Sequence, residues 1–267
     1  MADIVLRRLN EMKNGELYID RLNLITLPES PLWAEVVKLY CEYNWLTQLP
    51  ELPNVKKLQC QNNKLTHLPE MPEIKILYCS NNHLTRLPKM PKIKILQCRH
   101  NHLNQLPELP VVKILFCDFN RITQLPVMPN IKSLRCTCNQ ISQMPELFNI
   151  RQMHCDCNQL TVLPKLRSIR FLYCNHNKLT VLPELPVVKK INYLYNPLYY
   201  NPKYNKIYWS MINFITLKIY VSRWRKFNCK AVNDKKQDLH NELLYSPDLP
   251  FYKDREEYQH WHQMTKD

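Results

Sequence analysis

The chain has 267 residues, a formal net charge of +14, 20 prolines, 11 cysteines and a single glycine. One glycine excludes the Gly-rich loops that cradle phosphates in nucleotide-using enzymes, and no Ser/His/Asp arrangement stands out. The opening segment M-A-D-I-V-L-R-R lacks an apolar stretch before a small-residue cleavage site, so no secretory signal is expected.

Residues 1–16 are predicted to form a helical cap. Asp3 is placed as the N-cap of a short amphipathic helix with Ile4, Val5, Leu9 and Met12 on one side, and Gly15 stands where a C′ residue belongs. A divergent coil follows, with Leu17, Ile19, Leu22, Leu24 and the pair Leu27-Pro28 in register. It is three residues longer than the coils after it and carries Trp33 in the insertion. Terminal repeats that close a core are expected to be atypical.

From there a period of 19 runs through the chain. Asn recurs at 44, 63, 82, 101, 120, 139, 158, 177 and 196. Cys stands three residues earlier in eight of these units, from Cys41 to Cys174, with Tyr193 in the ninth, and Pro follows each Asn by six. In the unit that starts at Val55, residues 57–61 alternate outward and inward as a strand does. Leu58 and Cys60 point in, joined by Val55, Leu65 and Leu68. One unit cannot bury that face, whereas stacked units make continuous columns. The Asn amide is placed to pair backbone groups freed where the chain leaves the strand. Two prolines in L-P-E-L/M-P exclude helix from the return segment and favour an extended or polyproline-like one.

The pattern L-x-C-x-x-N-x-L-T-x-L-P-x-L-P resembles the leucine-rich repeat family, in particular the short Pro-marked class of bacterial effectors. Composition and the tail H-N-E-L-L-Y-S-P-D-L-P resemble mimivirus-type giant-virus leucine-rich repeat proteins. The resemblance implies an α/β repeat solenoid with a parallel β-sheet on its concave face, extended convex segments and helical caps at both ends. It divides the chain into residues 1–16, 17–202 and 203–267, and implies a protein-binding strand face. Residues 203–267 are too few for the ubiquitin-adding domain of such effectors, so no enzyme and no cofactor are expected.

Four groups of residues could carry function. On the outward strand face, Ile76, Ile95 and Ile114 lie beside Tyr78, Gln97 and Phe116, with Arg135, His154 and Tyr173 continuing that column. An apolar patch with aromatic members and a polar rim suits a protein partner; the bland alternative is tolerated surface apolar residues. A basic row precedes the strands: Lys56, Lys75, Lys94, Lys113, Lys132, Arg151, Arg170 and Lys189. Glu51, Glu70, Glu108, Glu146 and Glu184 are placed to answer it in part. It reads as a solvated edge or as a site for a polyanion, though without the interleaved aromatics of a base-stacking surface. Cys138, Cys157 and His176 share one position in consecutive coils, as free thiols or, more sharply, as zinc ligands with Asp156.

The fourth group is residues 203–230, an apolar run that ends in R-W-R-K. It reads as a C-terminal cap over Tyr193, Leu194 and Leu198, or as a basic membrane-surface or partner helix. Residues 231–245 read as a second helix. The leading function is a protein-binding scaffold of a viral or pathogen protein inside a host cell; the alternative is a basic adaptor for a polyanion or membrane surface. A cysteine column of small buried thiols, in strands poorly placed for disulfides, points to a reducing compartment.

Overall fold

A computed structural model of the chain describes residues 2–201 together with Leu217. The described elements lie in one compact unit, Met1–Tyr199. It opens with a helix, α1 (Ala2–Asn10), and continues through ten three-residue strands: β1 (Glu16–Tyr18), β2 (Lys38–Tyr40), β3 (Lys57–Gln59), β4 (Ile76–Tyr78), β5 (Ile95–Gln97), β6 (Ile114–Phe116), β7 (Ser133–Arg135), β8 (Gln152–His154), β9 (Phe171–Tyr173) and β10 (Lys190–Asn192). The strands form one parallel sheet in chain order. The register is that of the period, as in Leu58 opposite Leu77 and Leu96 opposite Leu115.

The inward columns are where the pattern put them. Val55, Leu58, Cys60 and Leu65 have no exposed surface, and neither do their counterparts in the next three coils. A further column, unanticipated from the sequence, is as deeply buried: the second apolar residue of L-P-x-L/M, represented by Leu52, Met71, Met90, Leu109, Met128, Leu147 and Leu166. The first Leu of that motif lies at the margin. Leu49, Leu68 and Leu125 keep 8–9% of their surface, and Leu87 and Leu106 are half-buried.

Each coil turns out of its strand through a residue in the left-handed region. Tyr43, Asn62, Asn81, His100, Phe119, Cys138, Cys157, His176 and Tyr195 have φ between 50° and 58°. That conformation normally favours glycine and costs other residues roughly 1–2 kcal/mol each. The next residue is the repeating Asn, and it compensates. Asn63 accepts from the Leu46 amide at 2.9 Å and donates to the carbonyls of Cys41 at 3.0 Å and Cys60 at 3.2 Å. The same set recurs from Asn44 to Asn196, so every bend is tied to the coil before it.

The N-terminal end corrects three expectations. Asp3 lies inside the first turn of α1 rather than at its N-cap. Only Val5 and Leu9, one helical turn apart, are fully buried; Ile4 is exposed and Met12 partly so. Gly15 is not a helix cap either. It has φ +68° just before β1, and its carbonyl accepts from Val37 and Lys38 at 2.8 and 2.9 Å. A Cβ there would stand 2.6 Å from a Val37 methyl carbon, so the glycine serves close approach. The insertion of the first coil is a 3-10 turn, Pro31–Glu35, capped by Ser30. It buries Trp33, whose indole donates to the Pro28 carbonyl at 2.9 Å. The helical readings over residues 203–230 and 231–245 lie, apart from the single helical residue Leu217, outside the described residues.

Candidate functional site

The outward face of the sheet carries three rows of side chains and a fourth at its edge. In the first row Ile76, Ile95 and Ile114 are direct register partners on β4, β5 and β6, each half-buried. Lys57 and Ser133 bound the run.

The second row is aromatic and basic by turns. Tyr18 stacks on Tyr40 at 4.5 Å, and the Lys57 ammonium lies over the Tyr40 ring. Tyr78, Gln97 and Phe116 follow in register, and Phe116 has the guanidinium groups of Arg99 and Arg135 at 4.5 and 5.6 Å from its ring centre. His154 stacks on Tyr173 at 4.4 Å. Desolvation, then the positive charge of Arg135, lowers the His154 pKa from its ordinary value, so this ring presents its neutral form at physiological pH. The sequence-derived patch residues are therefore brought together on one face, with Gln97 a polar spacer between Tyr78 and Phe116.

A third row was not singled out from the sequence: Ser80, Arg99, Asp118, Thr137, Asp156 and Asn175, each following a column cysteine or its neighbour in register. It finishes the sheet's hydrogen bonding with side chains. Asp118 is buried, accepts from the Thr137 amide at 3.0 Å and lies 3.0 Å from Arg99 Nε. Asp156 accepts from the Asn175 amide at 2.9 Å and from its side chain at 2.7 Å. The signal that could have found this row was the position itself, one residue past the inward Cys.

The basic row stands where the sequence places it, and all eight residues are exposed. Their backbones form an unbroken relay, from Lys75 donating to Lys56 at 2.8 Å through to Lys189 donating to Arg170 at 2.8 Å. The expected counter-charges form no ion pair with it, and the carboxylate that acts on Lys56 and Lys75 is instead that of Glu73. Among the described residues the ion pairs are Lys38–Glu16, Lys92–Glu73 and Arg99–Asp118, and none includes a member of the row or any of Glu51, Glu70, Glu108, Glu146 and Glu184. Those glutamates sit on the return segments, which run away from the strand edge before the chain comes back to it.

The extra thiols meet, but not as a metal centre. Cys138 and Cys157 stand on adjacent coils with matching φ of 54° and 53°, and the Cys138 amide donates to the carbonyl preceding Cys157. Burial, then Cys157, pushes the Cys138 thiol up to about 11. His176 instead stacks on Tyr195 at 4.2 Å, and the Asp156 carboxylate is taken by Asn175. No group of three or more His, Cys, Asp or Glu suited to a metal ion occurs among the described residues. The eight column thiols are buried and unbridged, and desolvation raises their pKa, so they are neutral packing groups rather than nucleophiles.

Neither a family model nor a curated protein sequence matches the chain. Solved structures do. YopM, a leucine-rich effector protein from Yersinia pestis, is 29% identical with a TM-score of 0.66, over 73% of this chain and 59% of that one. This chain is a leucine-rich repeat protein. YopM from Yersinia enterocolitica is 30% identical with a TM-score of 0.67, over 73% of this chain and 46% of that one. The leucine-rich repeat chain thus spans under two thirds of either YopM. The functional domain of InlJ from Listeria monocytogenes, which includes a cysteine ladder, is 27% identical with a TM-score of 0.59, over 69% of this chain and 45% of that one.

Proposed function

We propose that this leucine-rich repeat protein is a non-enzymatic scaffold that binds a protein partner on its concave strand face. One observation carries the reading. Ile76, Ile95 and Ile114 form a continuous apolar row on the side of the sheet that the core does not use, with Tyr78 and Phe116 beside them. Folding supplies no reason for apolar side chains there, whereas binding energy at interfaces concentrates in such clusters. The likeness to YopM, named an effector protein, supports an effector role, and the reading extends to a pathogen or virus protein in the reducing interior of a host cell.

Affinity capture from host-cell lysate tests it. The triple variant Ile95→Ser, Ile114→Ser, Phe116→Ala should lose the partner that the unchanged protein recovers while keeping its thermal transition. Recovery of the same partner by both proteins would sink the proposal.

The second reading is a basic adaptor for a polyanion or membrane surface, and the absence of ion pairs along the basic row among the described residues favours it. Its other component, residues 203–230, lies outside the described residues. No described helix is long and apolar enough to cross a membrane. Charge reversal at Lys94, Lys113 and Lys132 should abolish capture under this reading alone, with an effect that shrinks as salt rises.

A further inference from the structure

We infer that the partner segment seated on the strand face is an acidic amphipathic helix lying across the coils, its apolar stripe on the isoleucine row and its carboxylates facing the basic row. This rests on the strand-face reading above and names the class of partner that fits it.

The juxtaposition comes from the repeat itself. Lys75, Lys94 and Lys113 each immediately precede Ile76, Ile95 and Ile114, so an apolar row and a row of exposed cations run side by side across the same three coils; Glu73, paired with Lys92, also attracts Lys75, while Lys94 and Lys113 form no ion pair. On the far side of the isoleucines the positive charge is that of Arg135 at Phe116, since Arg99 there is paired with Asp118. Nearest the isoleucines the acids of the third row are already engaged, Asp118 by Arg99 and the Thr137 amide and Asp156 by Asn175. A ligand in this position therefore meets an apolar floor with a row of cations along one margin and Arg135 at the other, and charge complementarity asks for an apolar stripe beside an acidic flank.

Spacing separates a helix from an extended segment. Neighbouring strands are about 4.8 Å apart, so Ile76 to Ile114 spans roughly 9.6 Å. A helix places residues i and i+7 about 10.5 Å apart along its axis, within about 1 Å of that span. An extended strand repeats a face only every ~6.6 Å and falls out of step by nearly 2 Å per coil. Width agrees as well. Three strand residues cover about 10 Å, and a helix with its side chains is roughly 10–12 Å across. Along the eight basic residues, about 34 Å, such a helix would run to roughly 22 residues.

A phage library of random 18-residue peptides, selected on the full-length protein, tests the inference. The enriched peptides should be rich in Asp and Glu, carry apolar residues at spacings of three and four, and become helical on binding by circular dichroism. Their affinity should fall on the order of tenfold or more in the Ile95→Ser, Ile114→Ser, Phe116→Ala variant. It should fall comparably in Lys94→Glu, Lys113→Glu, Lys132→Glu, and weaken with salt, both variants keeping the parent melting temperature. Acidic peptides without apolar periodicity, indifferent to the patch variant, would overturn the helix and assign the row to an extended polyanion. Apolar peptides indifferent to the charge variant would overturn the acidic class and leave the scaffold reading standing. Peptides indifferent to both would overturn the two together. A selection that enriches nothing would overturn the helix inference, with lysate capture still judging the scaffold.

Discussion

Asn101 holds Cys79 across a coil boundary: its side-chain amide donates to the Cys79 carbonyl, 22 residues earlier, at 3.0 Å. It also donates to Cys98 at 3.1 Å and accepts from the Leu84 amide at 3.0 Å. Leaving buried backbone groups without partners costs about 1–3 kcal/mol each. Asn101→Ala is therefore expected to lower unfolding free energy by roughly 2–4 kcal/mol in urea titrations. Asn101→Asp should do no better, because a carboxylate cannot donate. Exposed Asn104→Ala should change stability by no more than about 0.5 kcal/mol, and equal losses at 101 and 104 would refute the tie.

The two leucines of one L-P-E-L unit are expected to behave differently. Leu109 is fully buried and Leu106 only half so. Leu109→Ala should cost about 2–5 kcal/mol as a large-to-small core change, and Leu106→Ala less than half as much. The reverse order in thermal melts would contradict the burial described above.

Much of this was legible in the sequence, and the misses have physical causes. Leu, Cys and Asn at fixed intervals are chemically extreme, so the inward columns and the bend could be read directly. Leu109 escaped because its flanking prolines mark it as return segment, which says nothing about facing. The left-handed column escaped because its occupants range from Asn62 to Phe119 and Tyr195, an apparently random set until the backbone shows the conformation they share. Glu51 and Glu70 were expected to answer the basic row in part, but neither forms an ion pair with it. The isoleucine patch was readable because strand alternation fixes sidedness; the row of Asp118 and Asp156 sat at an equally fixed position past the inward Cys, but its mixed residue types hid it.

Stability should fall at alkaline pH. Burial raises the folded-state pKa of the column thiols above the unfolded value near 8.5. Their contribution is fully present below that pH and is lost as pH rises, because the unfolded chain then releases protons the folded one keeps. Each thiol adds a slope of about 1.4 kcal/mol per pH unit. Urea unfolding between pH 8 and 10.5 should show a steep decline, which Cys98→Ala flattens by one such increment. A level profile would count against the buried column.

Thiol labelling at pH 8 should discriminate the two kinds of cysteine. Exposed Cys157 should react first, Cys138 more slowly because its proton is held up to about 11, and Cys60, Cys79, Cys98 and Cys117 only on unfolding. Mass spectrometry of native protein that finds the column labelled as fast as Cys157 would reject that order.

Gly15→Ala should destabilise the N-terminal end by about 1–3 kcal/mol, since φ is +68° and the new methyl would meet Val37 and the Glu35 carbonyl. Adding Val37→Ala should restore part of the loss by opening space, while the backbone strain stays. A Gly15→Ala protein as stable as the parent would show that the close approach is not required.

The left-handed exits, nearly identical in φ from Tyr43 to Tyr195, make the coils interchangeable as lengths of chain. Removing residues 82–100 would join Asn81 to Asn101, two positions that already follow one another in the repeat, and every later hydrogen bond would find an equivalent donor. Recombination between coils can therefore lengthen or shorten the gene in steps of 57 nucleotides without breaking the fold, and each step adds or deletes one rung of the strand face. The length of the strand face is in that sense a countable, heritable quantity, set by the number of coils.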